Sequence, residues 1–242
     1  MYKFKGFLLN KPLLFFCLFF LSFGYIQAQS LLTSLTSGET SVYAGSGVSK
    51  LYGDIGGYTL EKSILADINS SFVVGLRHTT LHRFGYSFLL DYNNHFESTD
   101  ADTHLSSRNM SFKSVQWGLN AQIEYTFIGG KYYENSKPHS LYALLGAGVA
   151  FSNAQIHDEN MLKPTDKVKL KEQALGISGG VGYQYRISNN IGIGAEYRLT
   201  QFLSDYMDGF HPLNSKKLDM SMDLRISLSY FFKVESGGGS SK

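Results

Sequence analysis

Cysteine is almost absent from this chain of 242 residues, which contains only Cys17, inside an apolar segment near the N-terminus. That segment has the features of a secretory signal, so the mature chain is expected to contain no cysteine. Disulfide bridges and thiol chemistry are therefore excluded from its fold and function.

Long apolar runs are also missing, with one exception. Lys3, Lys5 and Lys11 precede the run Leu13–Leu21, which is roughly half the length of the ~20 residues that a spanning helix needs. The pattern predicts a signal peptide over residues 1–28, cleaved after Ala28. Its loss removes three lysines and no acid, so the formal net charge changes from +2 to −1. This near-neutral charge gives no support for nucleic-acid binding.

Proline is scarce and glycine is abundant, with 4 and 25 residues respectively, a balance that fits many tight hairpins. The clearest pattern is Leu218–Phe232, where every second residue is apolar and the residues between are Asp, Ser and Arg until Phe231. Such alternation indicates a pleated strand whose two faces meet different media. A long final strand that ends in aromatic residues is typical of outer-membrane barrels.

The same alternation recurs along the chain, and no second apolar run is long enough for a spanning helix, so membrane insertion would require a barrel. Short and long connections alternate, as in barrels with periplasmic turns and extracellular loops. We predict an all-β fold, an antiparallel up-and-down transmembrane β-barrel over residues 41–232, after a periplasmic lead-in at 29–40 and before a flexible tail at 233–242. The eight predicted strands are Ser41–Gly53, Ser71–Leu81, Phe84–Phe96, Ser111–Ile128, Ser140–Ser152, Ala174–Ile187, Ile191–Tyr206 and Leu218–Phe232.

The polar face of these strands has little lysine, and none occurs between Lys171 and Lys216. A soluble barrel of the lipocalin type, the alternative architecture, would present many charged residues to water. Glycine occupies many of the polar-face positions instead, which suits the crowded interior of a barrel with about eight strands. The apolar face is therefore predicted to contact lipid.

Eight charged residues fall on the predicted inner face. An unpaired charge in that confined space would cost several kcal/mol, so we expect a neutral, paired network that closes the lumen. One antiparallel register places Glu196 opposite Arg225 and Arg198 opposite Asp223. The alternative is that these charges solvate a small water channel. The lumen charge network comprises Arg77, Asp91, Glu124, Arg186, Glu196, Arg198, Asp223 and Arg225.

The sequence offers no specific pattern for catalysis, a cofactor or a metal. His95 lies near Glu97 and Ser98, but loops rich in Ser and Glu bring such residues together by chance. His78 and His82 have a spacing that brings ligands together on a helix and not on a strand. We therefore expect a protein that is not an enzyme.

Three stretches carry a resemblance to a known family. They are Ala44–Gly56 (AGSGVSKLYGDIG), Arg108–Ser114 (RNMSFKS) and Tyr197–Gly209 (YRLTQFLSDYMDG). In this order they resemble the PorG-type outer-membrane component of the type IX secretion and gliding machinery, over about residues 42–232. The residues that carry the match are Tyr52, Gly53, Asp54, Arg108, Asn109, Asp205, Tyr206 and Asp208.

The resemblance implies an integral outer-membrane part of a secretion apparatus, linked to a periplasmic ring formed by a lipoprotein and its partner. It implies no enzymatic activity and no cofactor, and the matched residues are expected to order the extracellular loops. Further expected partners are outer-membrane lipid and the barrel assembly machinery, which reads terminal aromatics such as Tyr230 and Phe232. The alternative is a generic OmpA-like or porin-like barrel that binds a ligand at the surface or tethers the envelope.

Overall fold

The computed structural model describes residues 38–55, 69–80, 83–99, 110–129, 138–157, 167–168, 170–211 and 218–232. The predicted signal peptide and the predicted tail lie outside these residues, as does most of the predicted lead-in. The residues that the structure describes contain no helix long and apolar enough to cross a membrane.

The described residues form ten β-strands, and eight of them close into one antiparallel barrel. The order of strands around the barrel is β1-β10-β8-β7-β5-β4-β3-β2, and β6 pairs with β9 in a separate two-stranded sheet. The prediction of an eight-stranded antiparallel barrel is confirmed. The strands are β1 (Gly38–Tyr52), β2 (Asn69–Thr80), β3 (Phe84–Thr99), β4 (Ser111–Ile128), β5 (His139–His157), β6 (Lys167–Val168), β7 (Lys171–Arg186), β8 (Ile191–Phe202), β9 (Phe210–His211) and β10 (Met220–Phe231).

Most strand boundaries differ by a few residues from those expected, and three of the differences are the most informative. β1 begins at Gly38, inside the predicted lead-in, and β5 continues to His157, where it still pairs with Ser111 of β4. β8 ends at Phe202 and not at Tyr206, because the chain beyond it leaves the barrel wall and folds over the mouth of the barrel. The alternation of apolar and polar residues identifies the middle of each strand. Contacts with distant loops determine where the strand begins and ends.

Short connections lie at the end of the barrel that also holds the start of β1 and the end of β10. Arg83 turns the chain between β2 and β3 with a φ of 73°, and its carbonyl accepts a hydrogen bond from the Thr126 amide at 2.8 Å. Gly129, at the end of β4, has a φ of 83°, a conformation that favours glycine. In outer-membrane barrels this end faces the periplasm, and the longer loops lie outside the cell.

The two faces of the barrel wall are chemically distinct. Ile226 and Leu228 of β10 are exposed, whereas Asp223, Arg225 and Ser229 of the same strand are buried. The pattern recurs in other strands, so an apolar band covers the outside of the barrel. Lipid is the medium that such a band requires, and polar residues occupy the lumen.

An arginine placed on the outward face of β10 tests this orientation. Ile226 is 69% exposed and pairs with Ser46 and Ala195 in the middle of its strand, so Ile226→Arg should cost about 2–4 kcal/mol of folding free energy. Leu218→Arg, at the extracellular edge of the wall, should cost at most about 1 kcal/mol. Urea-dependent refolding into lipid vesicles, followed by the fluorescence of Trp117, measures both; a cost for Ile226→Arg no larger than that for Leu218→Arg would contradict the placement of Ile226 against the lipid core.

Candidate functional site

Buried ion pairs link strands that are not adjacent in the barrel across the middle of the lumen. Arg77 Nε lies 3.0 Å from Glu124 Oε2, and Arg77 Nη2 lies 3.5 Å from Glu196 Oε2. The other oxygen of Glu196 lies 2.6 Å from Arg198 Nη2. Glu196 therefore bridges two arginines on different strands.

The network continues from Arg198 to β10. Asp91 lies between two guanidinium groups, 3.8 Å from Arg198 and 3.9 Å from Arg225. Arg225 also pairs with Asp223 at 3.1 Å. The register of β8 and β10 is the one expected, with Arg198 opposite Asp223 and Glu196 opposite Arg225. Charged groups thus form one continuous chain of contacts across the lumen.

Two tyrosines complete the surroundings of Arg77. Its guanidinium lies over the rings of Tyr43 and Tyr142, at 5.0 Å and 4.7 Å from their centroids. Arg77 Nη2 donates a 2.8 Å hydrogen bond to the Tyr142 hydroxyl, which donates to Glu196 at 3.2 Å. A Cβ on Gly75 would lie 2.6 Å from the Tyr43 ring, so glycine makes the space for it. Neither tyrosine was part of the predicted network, although each occupies an inward position of its strand.

Neutral side chains satisfy much of the remaining hydrogen-bonding capacity. Arg225 Nε donates to Ser71 at 2.7 Å, and its Nη2 donates to Asn93 Oδ1 at 3.2 Å. Ser87 and Gln122 each donate to Glu124 at 2.9 Å. Such bonds offset the cost of removing the charged groups from water.

Arg186 occupies a different place from the other arginines. It pairs with Glu39 at 2.5 Å and lies 3.6 Å from the centroid of the Phe231 ring, near the periplasmic end of the barrel. Glu39 falls in the predicted lead-in, but β1 begins before it and turns its side chain toward Arg186. The expected match of four arginines with four acids is therefore replaced by a central network of three arginines with four acids and a separate Arg186–Glu39 pair.

Among the residues that the structure describes, a small cavity accompanies the central network. A cavity of about 10 Å³ lies beside Asp91, Arg198, Thr200 and Asp223, which is room for about one water molecule. Side chains fill the lumen at this level, which argues for a closed barrel.

An apolar cap lies above the polar network at the extracellular end. Ile55, Met110 and Met207 are fully buried there, and the Met207 carbonyl accepts a 2.8 Å hydrogen bond from the Ser152 hydroxyl of β5. The sequence patterns did not predict this cap, although apolar residues within otherwise polar loops are a signal of it. The apolar cap comprises Leu51, Ile55, Met110, Phe112, Ala150, Ile156, Ala174, Phe202, Met207 and Phe210.

The cap brings together two of the stretches that carry the family resemblance. Asp208 Oδ2 accepts a hydrogen bond from the Ile55 amide at 3.0 Å, and Asp208 Oδ1 accepts from the Phe210 amide at 2.9 Å. A Cβ on Gly53 would lie 2.5 Å from Asp208 Oδ2, so this close approach requires glycine. The loops after β1 and β8 are therefore joined through Gly53 and Asp208.

The remaining motif residues surround this junction. Tyr52 is buried at the end of β1, and its hydroxyl lies 4.0 Å from the Met222 sulfur. Asp205 and Tyr206 lie in the loop beyond β8 and not at its end, and both contact His211. Asp54 also lies close to Asp205 and His211. Arg108 and Asn109 lie outside the described residues.

Two carboxyl groups of the cap are buried together. Asp208 and Asp219 are both 0% exposed, and Asp219 Oδ2 accepts a 2.6 Å hydrogen bond from the Met207 amide. Burial raises the pKa of Asp208 to about 7, although two backbone amides act in the opposite direction. Burial, and then the negative charge of Asp208, raise the pKa of Asp219 well above its usual range. Among the described residues, no lysine or arginine pairs with either group.

Comparison with known proteins identifies one family. The outer membrane protein beta-barrel domain matches residues 16–232. No curated protein matches the chain.

Several solved barrels are similar in fold. Ail, the attachment invasion locus protein of Yersinia pestis, is 16% identical, with 81% of this chain and 100% of that chain covered and a TM-score of 0.47. Neisserial surface protein A is 14% identical, with 80% and 97% covered and a TM-score of 0.47. A major outer membrane protein from Thermus thermophilus is 14% identical, with 81% and 100% covered and a TM-score of 0.49. These likenesses carry no conclusion about function.

Removal of one partner tests the central network. Arg77→Met leaves Glu124 and Glu196 buried without that cation and should cost about 3–5 kcal/mol of folding free energy. Adding Glu124→Gln should recover part of this loss, because one uncompensated charge is removed with its partner. Arg83→Met, at an exposed turn, should cost at most about 1 kcal/mol. Refolding titrations measure all three variants, and a cost for Arg77→Met no larger than that for Arg83→Met would contradict the account.

Proposed function

Because the chain belongs to the outer membrane protein beta-barrel family, we propose that it is a non-enzymatic anchor for a protein-secretion complex of the type IX kind. In this role it resembles the PorG-type barrels. The barrel provides a fixed point in the outer membrane, and its partners are the lipoprotein and companion protein of a periplasmic ring.

The observation that carries this proposal is the convergence of the motif residues. Gly53 and Asp208 are far apart in the sequence, yet the carboxylate of Asp208 lies against the Gly53 backbone and accepts a hydrogen bond from the Ile55 amide. Residues that match a secretion family therefore share one structural task, which is to hold two extracellular loops together. A cap of this kind would explain why the matched stretches occur in the same order in this chain and in that family.

The filled lumen supports a structural role over transport of solutes. Ion-paired side chains and the apolar cap occupy the interior at two levels. A closed barrel provides rigidity without a permeability path, which suits an anchor. The exposed turn at Ser188 and Asn189 lies at the periplasmic end, where a ring would make contact.

Purification from native outer membranes tests the proposal. A tagged chain, solubilised in mild detergent, should bring down the lipoprotein and partner of a periplasmic ring, and deletion of the gene should reduce export of proteins with C-terminal secretion signals. Recovery of the tagged chain without ring proteins, together with unchanged export in the deletion strain, would contradict an anchoring role.

A matched pair of glycine variants connects this test to the cap. Gly53→Val places side-chain atoms against Asp208, whereas Gly179→Ala has its nearest neighbour 4.0 Å from the new Cβ. At equal levels in the outer membrane, Gly53→Val should impair export and Gly179→Ala should not. Equal export by the two variants would show that secretion does not depend on the cap.

A surface-binding barrel of the OmpA-like type is the second candidate. The cap favours it over a porin-like protein, because folded loops present a fixed surface while the lumen is filled. This candidate predicts normal export after deletion and no ring proteins in the purified complex.

A further inference from the structure

Three side chains at the edge of the cap have the arrangement of a metal-binding group. The ligand atoms of Asp54, Asp205 and His211 all lie within 4.8 Å of one another. His211 Nδ1 is already 2.5 Å from Asp205 Oδ2. The side chains of Asp205 and His211 are mostly buried, at 10% and 23% exposed, so the group lies at the boundary between the cap and the solvent.

The backbone around these residues is held by several independent contacts. β9 contains His211, which pairs with Lys167 of β6, so the strand β6 supports the backbone at His211. The Tyr206 ring lies 5.1 Å from the His211 ring. The loop that carries Asp54 is fixed one residue later by the hydrogen bond from the Ile55 amide to Asp208. The three ligands therefore come from two loops that the fold has already brought together.

Asp219 supplies a second, independent observation that points to a cation. Its side chain is fully buried, and its Oδ1 atom has no hydrogen-bond partner among the residues that the structure describes. That atom lies 3.0 Å from the position that a Cβ on Gly53 would occupy, beside the loop that carries Asp54. A fully buried carboxyl oxygen without a hydrogen-bond donor, next to the loop that carries Asp54, is an arrangement that a bound cation would stabilise.

We propose that Asp54, Asp205 and His211 bind one divalent transition-metal ion, with the buried Asp219 carboxyl beside the loop that carries Asp54. The ion ties the loop after β1 to the loop after β8 and so fixes the edge of the apolar cap. The site would add to the order of the same loops, but its test does not depend on the secretion role, because it measures metal binding and not export.

The donor set selects the class of ion. Two carboxylate oxygens and one imidazole nitrogen are ligands of Zn²⁺ and Mn²⁺, whereas Ca²⁺ and Mg²⁺ prefer oxygen ligands alone. Bond lengths to Zn²⁺ of about 2.0–2.2 Å require ligand atoms closer than their present separation of up to 4.8 Å. Small rotations of the aspartate side chains would bring this about, and water would fill the remaining positions around the ion.

Zn²⁺ titration of the refolded full chain tests the site. The protein in detergent micelles is freed of metal with a chelator and then titrated with Zn²⁺ against a coloured competitor. The wild type should bind one ion per barrel, and His211→Asn or Asp205→Asn should weaken binding by about tenfold or more, as expected for the loss of a ligand. His139→Asn is the matched control, because His139 is exposed at the periplasmic end, and it should bind as the wild type does.

Two further readouts separate a specific site from nonspecific binding or misfolding. Electrophoretic mobility of unheated samples verifies that each variant is folded. Co²⁺ should give a visible absorption spectrum that is lost in His211→Asn, and Zn²⁺ should slow proteolysis within residues 203–219 until EDTA is added. The proposal is wrong if the wild type shows no saturable binding, if the folded His211 and Asp205 variants bind Zn²⁺ as the wild type does, or if Ca²⁺ binds as tightly as Zn²⁺ without need of His211.

Discussion

The width of an eight-stranded barrel constrains everything inside it. A chain that crosses a membrane with strands must close its sheet, because lipid offers no hydrogen-bond partner for a free edge. Closure with eight strands leaves an interior just wide enough for side chains. Charged groups in that space lose much of their hydration, so they must pair with one another. Arg77, Arg198 and Arg225 therefore share their acids along a continuous chain, and glycines such as Gly75 make room for the rings that pack on it.

The same narrow interior explains the cap. Above the polar network the inward residues become apolar, and Phe112, Phe202 and Leu51 create a surface that must be covered. Met207 and Phe210 cover it from the loop after β8, while Ile55 does so from the loop after β1. Asp208 and Asp219 are buried in consequence, where they bind backbone amides of the same loops. The cap thus places an apolar cluster next to a group of acidic side chains. Such a group favours the binding of a cation.

Local periodicity explains which parts of the fold were predictable. β4 runs from Ser111 to Ile128 as predicted, and the pairing of Arg198 with Asp223 follows from alternation and charge. Features that depend on distant contacts were not predictable in this way. The Glu39–Arg186 pair spans 147 residues and the Ile55–Asp208 bond spans 153. No local sequence pattern identifies partners that lie so far apart. The sequence therefore predicts separate polar loops where the structure has one cap.

The filled lumen leads to one central claim, that the barrel is closed and is held by paired charges. Conductance across planar lipid bilayers that contain the purified, folded barrel tests this claim most directly. The account predicts no steady conductance above that of the protein-free bilayer. A large and steady conductance from the wild-type barrel would contradict it, since ions would then cross a lumen that the paired side chains are supposed to fill.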